Sequence, residues 1–224
     1  MIQIDNTVDS GWEAATRGMR NPHNSWETSD SWHGCRMGDY GHIDSYDCDL
    51  LCRCDCEFCI GAKDLALMEK LVKAGTDHSK FMRMINVTCD ITAPLYWWKE
   101  MDTYKVGTVR NSCSTMHTIT NRAFTKDDFS TENVLDDVDK FDYVIGRLNY
   151  ARKRYLETEG LERKSYWYSI IQLLPSSYNQ RATVQLNYQV LRNIYRARKN
   201  HKLDEWHDFC HWIETLPYSE LITL

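Results

Sequence analysis

The sequence predicts an α+β fold, a mixed sheet with long helices, and three observations carry that reading. Apolar residues recur at three and four along Thr131–Glu159, where Val134, Val138, Phe141, Leu148 and Ala151 mark one helical face. They alternate along Met84–Thr92, where Ile85, Val87, Cys89 and Ile91 spell a half-buried strand. The chain has 224 residues, 42% of them apolar, which is enough for one sizeable core. The expected organisation is a single domain, 1–224, with a cysteine-rich insertion at about 33–60.

The elements follow in order. Met1–Asn6 reads as a short strand. Ser10–Arg20 reads as a helix, with Ser10 as N-cap and Trp12, Ala15 and Met19 on one side. Asn21–Ile60 is long and polar, with scattered Gly and Asp, and such stretches are uncommon unless functional or metal-stapled. Asp64–Ala74 is an amphipathic helix stopped by Gly75. After the strand at Met84–Thr92, Pro94 suits the first turn of a helix. Residues Ser165–Leu174 form a helix ended by Pro175, Ala182–Tyr188 a strand, and Gln189–Arg198 and Leu203–Glu214 the closing helices.

Composition excludes several classes. The net charge is −5, which argues against a nucleic-acid surface. No run approaches twenty apolar residues and no leader-like apolar stretch opens the chain, so a membrane span and secretion are not expected. Nine cysteines, an odd and clustered count, suit reduced thiols in a cytoplasm. Cys48, Cys52, Cys56 and Cys59 crowd together, and Cys56-x-x-Cys59 is half of a thiolate zinc site. The cluster reads either as a structural zinc site or as unliganded thiols.

The most informative stretch is Ala93–Met116. Pro94-Leu95-Tyr96-Trp97-Trp98 runs into a loop rich in hydroxyls, amides and charge. Aromatic bulk beside convergent polar groups is how a nucleotide or cofactor pocket is built; a core helix followed by a polar turn is the plainer alternative. This stretch resembles the signature of the flavin-dependent thymidylate synthases, Arg-Gln, two residues, then Arg-His-Arg-x-x-Ser-x-Asn-Glu-x-Ser-x-Arg-Tyr. Lys99-Glu100 stand at Arg-Gln, Thr103-Tyr104-Lys105 at Arg-His-Arg, Asn111 at Glu, Cys113 at the second Ser and Thr115 at the last Arg. Upstream, Gly75-Thr76-Asp77-His78-Ser79 is similar to the family's Gly-His-x-Ser. Downstream, Leu174-Pro175, Asn187 and Arg198 match in identity and order, with Gln189 in place of an Arg.

The resemblance implies a methyltransferase that converts deoxyuridine monophosphate reductively, with FAD, NADPH and methylenetetrahydrofolate, in a homotetramer with no membrane or nucleic-acid partner. It implies that Arg198 is catalytic, stabilising negative charge on the pyrimidine. Glu100, Asn111, Cys113, Ser114, Thr115 and Arg198 are the expected substrate residues. Ser79, Thr103, Tyr104, Lys105, Asn187 and Gln189 are the expected flavin residues. Each has a plainer reading: Arg198 as a cation at a helix end, Asn187 as a strand-end cap, Ser79 as a helix cap, Cys113 as a pocket thiol with no covalent role. Arg192, on another face of the same helix, is the expected inert control. The departures matter as well. Arg gives bidentate, permanently charged contacts that Thr103, Thr115 and Ile171 cannot. A related pyrimidine modification such as hydroxymethylation, a non-catalytic paralogue, and a zinc-stapled binding module at residues 33–59 stand as the alternatives.

Overall fold

Alternation of buried and exposed residues builds the central sheet. A computed structural model of the chain describes residues 2–34, 57–134 and 138–224. In chain order these form β1 (Gln3–Ser10), α1 (Trp12–Arg20), β2 (Trp32–Gly34), β3 (Glu57–Cys59), α2 (Ala62–Ala74), β4 (Asn86–Pro94), α3 (Leu95–Met101) and β5 (Val109–Ser112). There follow α4 (Thr115–Thr118), α5 (Val138–Glu157), α6 (Gly160–Leu173), β6 (Asn179–Asn187), α7 (Tyr188–Arg198), α8 (Asp204–Glu214) and α9 (Glu220–Thr223). The class is α+β, as the periodicities predict.

The four-stranded sheet has the order β1-β4-β6-β5, and β2 pairs with β3 separately. Val87, Cys89, Ile91 and Ala93 of β4 point inward, as do Ala182, Val184 and Leu186 of β6. The two strands run antiparallel: Leu95 N donates to Tyr178 O at one end and Tyr188 N to Ile85 O at the other. Burial, with the Asp90 charge beside it, pushes the Cys89 thiol up to about 12, so Cys89 serves packing. On the outward face, Asp90 accepts from Thr183 Oγ1 at 2.5 Å, Asn6 Nδ2 at 2.8 Å and Arg181 Nη2 at 2.8 Å. These bonds hold its carboxyl down to about 2. The edge strand β5 pairs antiparallel with β6, placing Asn111 opposite Thr183.

The chain gathers into two compact units, one of Met1–Thr7, Thr88–Gln185 and Arg198–Trp212, the other of Val8–Val87, Leu186–Ala197 and Ile213–Leu224. In the first, Ile145, Leu148 and Ala151 of α5 and Ile170 of α6 pack with Phe124 and Phe129. A second apolar focus is aromatic. Trp97 is fully buried and lies 4.8 Å from Trp206 and 5.0 Å from Trp98, centroid to centroid. Tyr96 donates to Glu205, tying α3 to α8, and burial followed by that bond raises the phenol's pKa.

In the second unit, the expected Ser10 cap gives way to Gly11. It precedes α1 at φ 93° with no side-chain cap. A Cβ there would meet Met84 O at 2.1 Å, so the close approach of backbone excludes any larger residue. At the other end of α1, Arg20 reaches Asp64 of α2. Arg20 Nε donates to Asp64 Oδ1 at 2.6 Å, while Ser29 and Ser31 hydroxyls donate to Oδ2 at 2.5 and 2.6 Å. Burial alone would raise the Asp64 pKa, but these bonds and the Arg20 charge outweigh it and hold the carboxyl below its usual value. Asp30 accepts from the Lys63 and Asp64 N–H groups at 2.9 and 3.1 Å, satisfying the start of α2.

Candidate functional site

The signature residues sit on α3, the turn after it, β5 and α4, all in the first unit. Three of the expected site residues meet around one guanidinium. Arg198, the last residue of α7, donates Nη1 to Glu100 Oε2 at 2.7 Å and Nε to Tyr104 Oη at 2.9 Å. Its Cζ lies 4.8 Å from the Trp206 ring centroid. Glu100 Oε2 also accepts from Trp206 Nε1 at 2.9 Å and lies 3.4 Å from His201 Nε2. The Arg198 side chain is 17% exposed and that of Glu100 34%. Burial of this kind preorganises a guanidinium, because its carboxylate and ring partners fix both position and plane. Trp206 and His201 were not assigned to this site from sequence; they lie over a hundred residues from Glu100, and no local pattern connects them.

A second line of polar contacts runs from α3 to α4. Arg110 stacks over Trp98 at 3.8 Å and donates to Asp102 and to Gln180 Oε1, each at 2.7 Å. Gln180 Nε2 donates in turn to Cys113 O at 2.9 Å and Thr115 Oγ1 at 3.1 Å. Gln180 is therefore a positioning residue that sequence reading missed. Ser114 precedes α4 and uses its carbonyl to accept from Thr118. Asn111 is exposed on β5. Cys113 is exposed, with Sγ 3.7 Å from Thr118 Oγ1. Cys210, by contrast, is buried. Cys113 also borders a cavity of ≈ 280 Å³ with Thr118, Asn121, Arg122, Phe124 and Tyr178.

The expected flavin residues divide between the units. In the first, Thr103 Oγ1 donates to Glu100 O at 2.7 Å, Tyr104 accepts from Arg198, and Lys105 is exposed. Beside them, Thr108 Oγ1 and Arg110 Nε are buried without a hydrogen-bond partner among the described residues. Tyr104, Lys105, Thr108 and Arg110 border one small cavity of ≈ 100 Å³. In the second unit, Ser79 is fully buried and faces Gln189 Oε1 at 3.4 Å, and Gln189 Nε2 donates to Asn193 at 3.1 Å. Asn187 Oδ1 accepts from Val190 N at 3.0 Å, capping α7. Asn187→Ala is accordingly expected to lose about 1 kcal/mol, while Asn187→Asp keeps the cap; denaturant midpoints of the two variants check this. Arg192 departs from its expected role as an inert control. It is 5% exposed and donates to Val72 O and Leu224 O, each at 3.2 Å, so its removal disturbs the interior.

The expected zinc ligands Cys48, Cys52 and Cys56 lie outside the described residues, and Cys59 is half-buried on β3. Among the described residues, no group of three or more His, Cys, Asp or Glu is placed to hold a metal ion. A cavity of ≈ 440 Å³ at the start of α1, between Trp12, Phe58 and Tyr218, contains none of the signature residues. Among the described residues, no helix is long and apolar enough to cross a membrane.

No family model matches the sequence and no curated protein matches it. Solved structures do. The structure is similar to a crystal structure of flavin-dependent thymidylate synthase ThyX from Helicobacter pylori complexed with FAD and dUMP, with a TM-score of 0.67 and 15% identity over 99% of this chain and 98% of that one. A second structure of that enzyme with FAD and dUMP gives a TM-score of 0.65 and 14% identity over 99% and 100%. The chain thus has the fold of the flavin-dependent thymidylate synthases.

Proposed function

We propose that this chain is a divergent flavin-dependent thymidylate synthase-like enzyme, methylating dUMP to dTMP reductively with methylenetetrahydrofolate as carbon donor and NADPH as reductant. The observation that supports this best is the meeting of Glu100, Tyr104 and Arg198 within a fold whose solved examples bind FAD and dUMP. The family resemblance named all three as ligand-binding residues, Glu100 and Arg198 for the substrate and Tyr104 for the flavin, although 94 and 98 positions separate Arg198 from the other two. The reading includes a homotetramer working in the cytoplasm.

The residues present fit a flavin at the turn after α3. Lys105 offers an exposed cation, Tyr104 a phenol, and Thr108 a buried hydroxyl with no partner among the described residues. These residues would hold FAD, which supplies the reducing electrons when bound. Arg198 supplies fixed positive charge where negative charge develops on the pyrimidine. Glu100 and Tyr104 keep the guanidinium oriented, and Trp206 screens one of its faces from water. Asn111, Ser114 and Thr115, the last held by Gln180, provide amide and hydroxyl contacts for the nucleotide. Binding of FAD should be weaker than in a protein with the full Arg-His-Arg set, because each missing charged hydrogen bond costs about 1.5–3 kcal/mol.

Hydroxymethylation of a related pyrimidine nucleotide uses the same charge cluster. A non-catalytic paralogue, with zinc on Cys48, Cys52, Cys56 and Cys59, is favoured by one observation: Ser79, Asn187 and Gln189 already spend their polar atoms on the protein's own contacts. A visible spectrum of the purified protein titrated with FAD separates these readings. A perturbed flavin band that NADPH bleaches is the expected result. An unperturbed band at high micromolar protein would sink the flavin-dependent reading.

A further inference from the structure

We propose that the cavity beside Cys113 takes the phosphate of a nucleoside monophosphate, with Arg122 as its cation, an inference that rests on the nucleotide reading above. None of the family's signature positions falls on Arg122. Its volume of ≈ 280 Å³ is at the low end of small-molecule sites, which start at roughly 300 Å³. That suits a mononucleotide. Phe124 and Ile119 give the cavity an apolar wall and Arg122 gives it charge.

Arg122 is held ready. Its two terminal nitrogens bond the Asp128 carboxylate, Nη1 at 2.9 Å. Asp128 is itself 7% exposed and accepts from Thr125 N at 2.8 Å, closing a capping box. A guanidinium has five N–H donors, so end-on pairing leaves Nε and the outer edges for a second anion. The Arg122 side chain is 67% exposed and can be reached.

Arg152 lies beneath the same loop, donating Nε to Thr120 O at 2.9 Å and Nη2 to Asn121 O at 3.2 Å. It has no carboxylate partner among the described residues. Arg152 therefore adds a second guanidinium at the loop that carries Arg122. The Tyr178 hydroxyl borders the cavity and has no partner among the described residues. Burial, reinforced by Asp128, keeps that phenol protonated as a donor. Thr115, which stands where the family's last signature Arg would be, accepts from Gln180 and carries no charge. Arg122, seven positions further on, supplies the missing cation from the other side of α4.

The test is equilibrium binding of the full chain to the four common 2′-deoxynucleoside 5′-monophosphates, the parent nucleosides and inorganic phosphate. The double variant Arg122→Gln/Asp128→Asn replaces the ion pair by an amide pair and leaves no buried charge unpaired. It should weaken binding of the preferred monophosphate by about ten- to a hundredfold and leave the parent nucleoside unchanged. Tyr178→Phe, which keeps the ring, should weaken it by about fivefold. Equal monophosphate affinity in wild type and double variant overturns the proposal, as does a wild type that binds none of the four. Inorganic phosphate binding as tightly as the nucleotide overturns the nucleotide assignment. Arg122-dependent nucleotide binding without a flavin signal retains the pocket and removes the flavin-dependent reading; a flavin signal with nucleotide binding indifferent to Arg122 does the reverse.

Discussion

Asp64→Ala is expected to destabilise the protein by about 3–5 kcal/mol, the cost of leaving one member of a buried ion pair alone. Asp64 is fully buried and the Arg20 side chain is only 6% exposed. The loss also frees the Ser29 and Ser31 hydroxyls, so the segment after α1 loses its anchor to α2. In a chain of this size each kcal/mol shifts the melting temperature by about 2–4 °C, so a fall of about 6–20 °C should appear in a thermal melt. Asp64→Asn keeps the shape and should fall between the two. The pH dependence has a fixed sign. The folded carboxyl titrates below the unfolded value of 3.8. Its contribution is therefore complete above about pH 4 and fades as pH falls through the lower, folded value. The variants should show a shallower acid limb than wild type. A melting temperature within 2 °C of wild type for Asp64→Ala would show that the pair carries no net stability.

Much of this architecture was legible in the sequence because the signals were local. The alternation at Ile85, Val87, Cys89 and Ile91 became β4, and Gly75 stops α2 at φ 111°. The strand β5 was not legible: at the sheet edge its residues are mostly exposed, so no alternation marks it. Pairing with Thr183 and its neighbours makes it a strand. The same contrast holds at the candidate site. The family resemblance pointed to Glu100, Tyr104 and Arg198. It could not point to Trp206, His201 or Gln180, which reach the site through tertiary folding alone. Asn187 shows the opposite failure. It matched the family in identity and spacing, yet its side chain caps α7. A residue type that suits a ligand also suits a helix start, and sequence does not separate the two. The Thr125-x-x-Asp128 spacing was readable as a capping box; that Asp128 also orients Arg122 was not.

Arg198→Ala is expected to reduce turnover by about a hundred- to a thousandfold, the range for removing a preorganised donor from developing charge. The fold should survive it. Glu100 is 34% exposed, keeps Trp206 Nε1 as donor and gains water, so the lost ion pair is worth about 1 kcal/mol or less. Arg198→Lys separates charge from geometry. Lysine retains the cation but cannot bond Glu100 and Tyr104 at once, so turnover should recover only in part. Glu100→Gln tests the orienting role. It leaves Arg198 charged but loosens its position, which should lower kcat more than it raises KM for dUMP. A purely structural Arg198 predicts a different pattern: melting temperature and activity would fall together, and Arg198→Lys would restore both. Steady-state kinetics beside thermal melts distinguish the two. If Arg198→Ala turns over like wild type, the charge cluster at Glu100, Tyr104 and Arg198 is a fold element, and the catalytic centre must be sought among the residues around Cys113 and Arg122.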